Sequence, residues 1–220
     1  MKIFLKPVNS AIFDGIDKNS ISSLLCCLQA ETKKYGKGEY ILNAGGYTES
    51  VGLIASGSAL VIQEDFWGNR NIISRITTGQ LFGEAFACSD EALNVSVISE
   101  EPCSVLWLSV TRMLTSCPAS CEHHSRMIRN LISSLAQNNL RLNEKLTHMG
   151  RRSTRDKLLS YLSAEARRTG CHEFDIPFDR QQLADYLCVE RSAMSNELSK
   201  LKKAGVLTFY KHHFILNTEY

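Results

Sequence analysis

The apolar positions of this chain change rhythm twice, near Leu108 and near Gly150. Over Ile16–Ala30, Leu24, Leu25 and Leu28 fall at helical spacing and predict a short N-terminal helix. From Tyr35 the texture becomes short apolar runs: Tyr40–Leu42, Val51–Ala55, Leu60–Gln63, Ile72–Ile76, Val95–Ser99 and Val105–Leu108. Nine of the 13 glycines fall between Gly36 and Gly83 and punctuate these runs. Short strands with a turn signal roughly every ten residues predict an antiparallel barrel or sandwich, with Phe66-Trp67-Gly68-Asn69-Arg70 as a hairpin tip.

After Leu108 the glycines stop until Gly150. Pro118 suits the first turn of a helix, and Pro118–Met149 would span roughly 48 Å at 1.5 Å per residue. Ile128, Ile132, Leu135, Asn139, Leu142, Leu146 and Met149 alternate steps of four and three, a heptad stripe. Such a stripe predicts a parallel homodimer, with Asn139 as a polar register-fixing position; the alternative is that the stripe packs on the chain's own barrel. Gly150 is a natural hinge. Ser153–Asp156 resembles a capping box opening a further helix that ends at Gly170, and Phe174–Phe178 reads as a short strand.

Asp179–Leu216 then reads as helix, tight turn, helix and hairpin. Asp179 caps the first helix with Gln182 as reciprocal partner, and Leu183, Ala184 and Leu187 form its apolar face. Cys188, Val189 and Glu190 make the turn. Arg191–Ala204 follows with Met194, Leu198 and Leu201 inward, Gly205 stops it, and Val206–Tyr210 and His213–Leu216 are strands joined near Lys211. A helix-turn-helix with a wing places its second helix in the major groove of double-stranded DNA. That helix offers Arg191, Ser192, Ser195 and Asn196 to base edges, and Lys200, Lys202 and Lys203 to phosphates, with Glu197 as its one acidic interruption. The plainer alternative is that the two helices and hairpin are merely the core of a small domain.

Composition bounds these readings without deciding them. At 44% hydrophobic and 22% charged, the 220 residues resemble an ordinary globular protein of one large or two modest domains. No apolar run approaches the roughly 18 residues of a membrane span, and MKIFLKPVNS has no signal-peptide hydrophobic region, so a cytoplasmic location is expected. Residues 151–220 carry 12 Lys and Arg against 9 Asp and Glu, a balance of +3, while residues 1–150 balance at −1; the bias suits phosphate binding without demanding it. The eight cysteines form no CxxC pair and are expected mostly as small buried hydrophobes. Cys117, Cys121, His123 and His124 are the one cluster with metal-binding or redox spacing; the alternative is two packed thiols and solvated histidines, and no metal is assigned.

A glycine-punctuated barrel, a long helix and a winged helix-turn-helix, in that order, resemble the Crp–Fnr family of bacterial regulators. The resemblance covers essentially the whole chain, and its most specific marks are Gly79-Gln80-Leu81-Phe82-Gly83-Glu84 and Arg180-Gln181-Gln182-Leu183-Ala184-Asp185-Tyr186-Leu187. The first is similar to the start of the family's phosphate-binding cassette, where glycine lets backbone N–H groups approach a phosphate. It implies an effector site built from Gly83, Glu84, Asn94, Val95, Leu142 and Asn143. In cyclic-AMP-responsive members the cassette continues to an Arg-Ser pair and the long helix supplies Thr-Ser. Here those positions are Asn94-Val95 and Leu142-Asn143, so the resemblance implies an effector other than cyclic AMP. Adjacent Cys26 and Cys27 on a helix make poor iron–sulfur ligands, and all histidines lie at position 123 or later, which speaks against a haem in the barrel. Arg191 matches the family position that contacts guanine; Ser192 and Asn196 replace a common Glu and Arg, and Cys188 stands where the turn often has Gly, which implies local strain.

The expectation is therefore an α+β chain: a jelly-roll-like antiparallel β-barrel effector domain over 1–115, a dimerisation helix over 116–150 and a winged helix-turn-helix DNA-binding domain over 151–220. It is expected to act as a homodimeric, sequence-specific transcription regulator with an unidentified small-molecule effector and cofactor unknown, and the resemblance implies RNA polymerase as a partner. The rival is a ligand-binding, redox- or metal-responsive module that does not touch DNA. No nucleophile–base pair, zinc-protease helix or complete phosphate loop supports an enzyme.

Overall fold

The structure, a computed structural model, describes residues 10–115 and 122–217. They form two compact units: one runs to Asn139 except for Arg70–Ile72, and the other comprises Arg70–Ile72 and the chain from Leu140 onward.

In the first unit a 3-10 turn at Ala11–Phe13 precedes α1, Lys18–Cys27. The helix is shorter than its apolar pattern predicts. Asp17 fixes its start by accepting from the Asn19 and Ser20 N–H groups, and Gln29 turns left-handed at φ 50° just past its end. Leu24, Leu25 and Leu28 are buried as expected.

Eight strands make two four-stranded sheets. β1 (Glu31–Tyr35), β8 (Cys103–Ser109), β3 (Ser50–Ser56) and β6 (Leu81–Phe82) form one in that order. β2 (Tyr40–Leu42), β7 (Ser96–Ser99), β4 (Ser58–Glu64) and β5 (Arg70–Thr77) form the other. Pairings of β8 with β1 and β3, and of β7 with β2 and β4, are antiparallel. Ile41, Ile54, Ala59, Ile76, Phe82, Val97 and Val105 come from both sheets into one core. The jelly-roll-like expectation therefore holds as two sheets packed on each other, and the described strands do not close into a continuous barrel. Gly52 is opposite Phe82 in register, and a Cβ there would meet the Phe82 ring at 2.2 Å, so the ring needs the glycine. The apolar pattern signals neither β1, whose Glu31, Lys33 and Lys34 are charged, nor the two-residue β6, nor α2, Glu84–Ser89. A short helix, α3, spans Val110–Leu114.

The long helix α4 is described over Glu122–Met149. Its first half joins the core of the first unit through Met127 and Leu131, which lie off the predicted stripe, with Ile128 and Leu135 partly packed there. Ile132 remains 59% exposed. In the second unit Leu142 and Leu146 are 46% and 67% exposed, Asn139 lies at the surface of the first, and Met149 is half-buried.

In the second unit α5 spans Thr154–Thr169; Ser153 caps it by accepting from the Asp156 N–H, and Gly170 ends it. The strand expected over Phe174–Phe178 is only β9, Glu173–Asp175, because Pro177 cannot continue a ladder and the Ile176 N–H turns to the His212 carbonyl. α6 (Arg180–Leu187), α7 (Arg191–Lys203), β10 (Leu207–Tyr210) and β11 (His213–Leu216) complete the unit, with sheet order β10-β11-β9. Leu158, Leu162, Leu183, Leu187, Met194, Leu198, Leu201 and Phe214 are buried there.

Cysteine burial differs from expectation. Cys103 is buried, but Cys26, Cys27, Cys88, Cys171 and Cys188 are exposed, because each falls on a helix face or turn rather than a sheet interior. Among the described residues no helix is long and apolar enough to cross a membrane.

Candidate nucleic-acid interface and effector site

The DNA-reading candidates stand on a helix fixed from beneath. Asp179 and Gln182 cap α6 reciprocally: the Gln182 N–H donates to Asp179 Oδ1 at 2.8 Å, and the Asp179 N–H to Gln182 Oε1 at 2.9 Å. Leu183, Ala184 and Leu187 bury its inner face. The turn then passes through Cys188 at φ 48°, ψ 60°, a left-handed conformation that costs a β-carbon-bearing residue roughly 1–2 kcal/mol. The Lys157 ammonium donates to the Leu187 and Cys188 carbonyls at 3.3 and 3.4 Å, satisfying acceptors at the end of α6.

On α7, Met194, Leu198 and Leu201 face inward, so the opposite face is solvent-facing. Arg191, Ser192, Asn196, Lys200 and Lys203 are exposed and Ser195 is half-buried. Two of the three lysines have partners within the unit: Lys200 Nζ lies 2.6 Å from Glu197 Oε1, and Lys202 Nζ lies 5.3 Å from the centre of the Phe209 ring. The charge that the sequence offers to phosphates is thus partly committed locally.

Arg180, absent from the predicted contacts, opens α6. Its guanidinium lies over both the Phe209 and Phe214 rings, 4.7 and 5.0 Å from their centres, and one terminal nitrogen is buried with no hydrogen-bond partner among the described residues. Burial pushes its pKa down from the usual arginine value. Lys145 is a second residue outside the predicted contacts. Its ammonium donates to Asn71 Oδ1 at 3.1 Å and to the Ile72 carbonyl, and sits 4.7 Å above the Tyr186 ring. Burial lowers its pKa to about 8. No periodicity signals either residue, since both lie at positions where a charge reads as a solvated face.

The effector candidates divide between the units. In the first, Gly83 adopts φ 77° and leads directly into α2, whose first residue, Glu84, is only 4% exposed. The Asn138 carboxamide of α4 donates to the Glu84 carboxylate. Asn94 is exposed and Val95 half-buried ahead of β7; neither supplies a cation or hydroxyl to a phosphate. Leu142 and Asn143 are exposed on the part of α4 that belongs to the second unit.

Cys117 and Cys121 lie outside the described residues. His123 is half-exposed, while His124 is buried with its Nδ1 unpartnered among the described residues, and no group of three metal-ligating side chains occurs among those residues.

Residues 32–117 match the family model of the cyclic nucleotide-binding domain, and residues 156–220 match that of the Crp-like helix-turn-helix domain. Over 81 residues the chain is 31% identical to the transcriptional activator protein FnrL of Cereibacter sphaeroides, a stretch covering 33% of each protein. The chain thus spans a third of the length of that curated relative. Its fold is similar to that of the c-di-GMP responsive global regulator CLP of Xanthomonas campestris, with a TM-score of 0.72 at 16% identity, covering 91% of this chain and 99% of that one. It is also similar to FixK2 of Bradyrhizobium japonicum, with a TM-score of 0.65 at 19% identity over 86% and 93% of the two chains. With a two-sheet cyclic nucleotide-binding-type domain, a long helix and a Crp-like helix-turn-helix in one chain, this protein belongs to the Crp–Fnr family of transcription regulators.

Proposed function

We propose that the protein is a homodimeric, sequence-specific DNA-binding regulator of transcription, not an enzyme, whose first unit responds to an effector other than cyclic AMP. The exposed Arg191, Ser192 and Asn196, with half-buried Ser195 beside them, carry the reading, because the buried Met194, Leu198 and Leu201 fix which face of α7 is offered and Arg191 stands clear at its first turn. Arg pairs two hydrogen bonds to guanine and Asn to adenine, so these residues can discriminate bases. Lys203, Lys200 and Lys202 position the helix on phosphates, the last two after exchanging their present partners. Ile132, Leu142 and Leu146, exposed apolar positions of one heptad stripe, support pairing of two copies along α4, with Ile128, Leu135, Asn139 and Met149 completing the seam.

An effector at Gly83, Glu84, Asn94 and Val95 of the first unit would meet no Arg-Ser pair for a cyclic phosphate. RNA polymerase is the natural further partner of such a regulator, and the cytoplasm its place of action. Selection of random duplex DNA by the purified protein, with Arg191→Ala beside it, tests the reading. A two-fold symmetric site with half-sites about one helical turn apart is expected, and failure to enrich any site, with or without cell extract as effector source, overturns it.

A further inference from the structure

His213 opens β11 and stands opposite Asp175 of β9 in the antiparallel register. Its Nδ1 lies 2.9 Å from Asp175 Oδ1, and its Nε2 lies 3.1 Å from Glu173 Oε1. An ionised carboxylate only accepts, whereas a neutral imidazole donates from one nitrogen and accepts at the other. Both contacts are hydrogen bonds together only when the ring carries two protons. The neutral ring, in either tautomer, turns a lone pair toward a carboxylate.

The clamp sits beside the wing turn. The Ile176 N–H donates to the His212 carbonyl at 2.9 Å, so the end of β9 is tied to the turn by backbone as well. Across the hairpin Tyr210 pairs with His213, and the Lys211 ammonium lies 5.5 Å from the Tyr210 ring centre. Lys211 adopts φ 52°, so it turns the chain at the tip. The charged and titratable groups around His213 are therefore Glu173 and Asp175 from β9, Tyr210 from β10, and Lys211 and His212 in the turn. His212 Nε2 is 3.9 Å from the same Asp175 oxygen.

We propose that His213 is a positioning residue for DNA binding: its imidazolium, held between Asp175 and Glu173, fixes the Tyr210–His212 turn against the DNA backbone, and loss of the ring proton weakens binding. The proposal rests on the DNA-binding reading above. The Asp175 hydrogen bond, followed by the smaller effects of the two carboxylate charges and the Glu173 bond, raises the His213 pKa above its ordinary value near 6.5 against the opposing effect of burial. A raised pKa means that the clamp is complete below that ordinary value and is lost as pH rises through the raised one.

The test uses the full chain carrying His212→Asn, so that the neighbouring imidazole is silent. Ring-proton NMR gives the His213 midpoint, and fluorescence anisotropy with a labelled duplex bearing the selected site gives affinity from about pH 6 to about pH 8.5 at fixed salt. Affinity is expected to weaken roughly fivefold around the NMR midpoint, the scale of one ordinary hydrogen bond, as suits a solvent-screened clamp. Asp175→Asn is expected to shift both midpoints downward together, and His213→Gln to abolish that pH step while leaving circular dichroism unchanged. Affinity that is flat through the measured midpoint, or a pH step that survives His213→Gln, overturns the proposal. If His213→Gln does not fold, agreement or disagreement of the two midpoints in Asp175→Asn decides. Failure of selected and random duplexes to bind at every pH defeats the DNA reading and the proposal with it. That result is distinct from binding that ignores the His213 midpoint.

Discussion

Asn138 donates from its carboxamide to the buried carboxylate of Glu84, a residue 54 positions earlier. The contact joins the start of α2 to the long helix within the first unit. Removing the donor leaves a carboxylate at 4% exposure with one partner fewer. Asn138→Ala is therefore expected to lower unfolding free energy by about 1–3 kcal/mol in urea titration, and Asn138→Asp by more, since it sets a second negative charge beside the first.

Cyclic AMP is expected not to stabilise the protein. A ligand at a hundred times its dissociation constant adds about 2.7 kcal/mol to stability, which thermal unfolding detects easily. With Asn94 and Val95 at the positions that would meet the phosphate, millimolar cyclic AMP should leave the melting temperature unmoved. A rise of several degrees would mean that backbone N–H groups near Gly83 bind the phosphate without a cation.

Pairing of two copies along α4 predicts that Leu146→Glu shifts the protein from dimer to monomer in sedimentation velocity. Each leucine side chain buried across such a seam contributes about 1.5–3 kcal/mol, and a glutamate there adds a desolvation cost. Leu146 is already 67% exposed in one chain, so the variant should keep its helical circular dichroism. A monomer–dimer ratio unchanged by this substitution would place the dimer seam elsewhere.

Much of this architecture is legible in the order of apolar residues, for a physical reason. The runs Tyr40–Leu42 and His213–Leu216 match observed strands to the residue, because a sheet covered on one face imposes period two on its own sequence. The capping pair Asp179 and Gln182 is equally local: both partners lie within one helical turn. β1 is invisible to such a pattern because Glu31, Lys33 and Lys34 sit at an edge, where pairing with β8 rather than side-chain burial makes the strand. The heptad stripe of α4 is only half the pattern. Met127 and Leu131, one position before Ile128 and Ile132, carry its burial in the first unit, and nothing in the spacing distinguishes a core-facing row from a partner-facing row. Lys145, Arg180 and His213 escape for a different reason. Their environments are assembled from residues far apart in the chain, such as Asn71 with Lys145 and Asp175 with His213, and single-sequence periodicity carries no such information.

The buried ammonium of Lys145 gives a stability signature in alkali. Its pKa falls from the ordinary 10.5 to about 8 on folding, chiefly through burial. Between those values the unfolded chain holds the proton and the folded chain has released it, so stability from this group rises with pH across that window. Below about 8 both states are protonated and the desolvation cost of the cation is constant. Wild-type protein should therefore gain about 1–3 kcal/mol relative to Lys145→Met between the two values, in paired urea titrations. Comparison with the variant removes the contribution of tyrosines that titrate in the same range. Parallel pH profiles would mean that the Asn71 and Ile72 oxygens keep the lysine charged throughout.

Arg191 is the first residue of α7; it continues the stripe of Met194 and Leu198 but stands one turn before them, where the helix end leaves it exposed while Met194 is fully buried. If it reads guanine, Arg191→Ala removes a bidentate pair at one base step and nothing elsewhere. Affinity for the selected site should fall by roughly 1–3 kcal/mol, and preference should relax at one position in each half-site. The slope of affinity against salt is the discriminating readout. If the guanidinium instead meets a phosphate, its removal would reduce that slope by about one unit and weaken binding to all sequences alike. Removing a base-reading group leaves nonspecific affinity nearly unchanged. Anisotropy titrations on selected and random duplexes at several salt concentrations therefore separate the two roles, and a uniform weakening would transfer base reading from Arg191 to Ser192, Ser195 and Asn196.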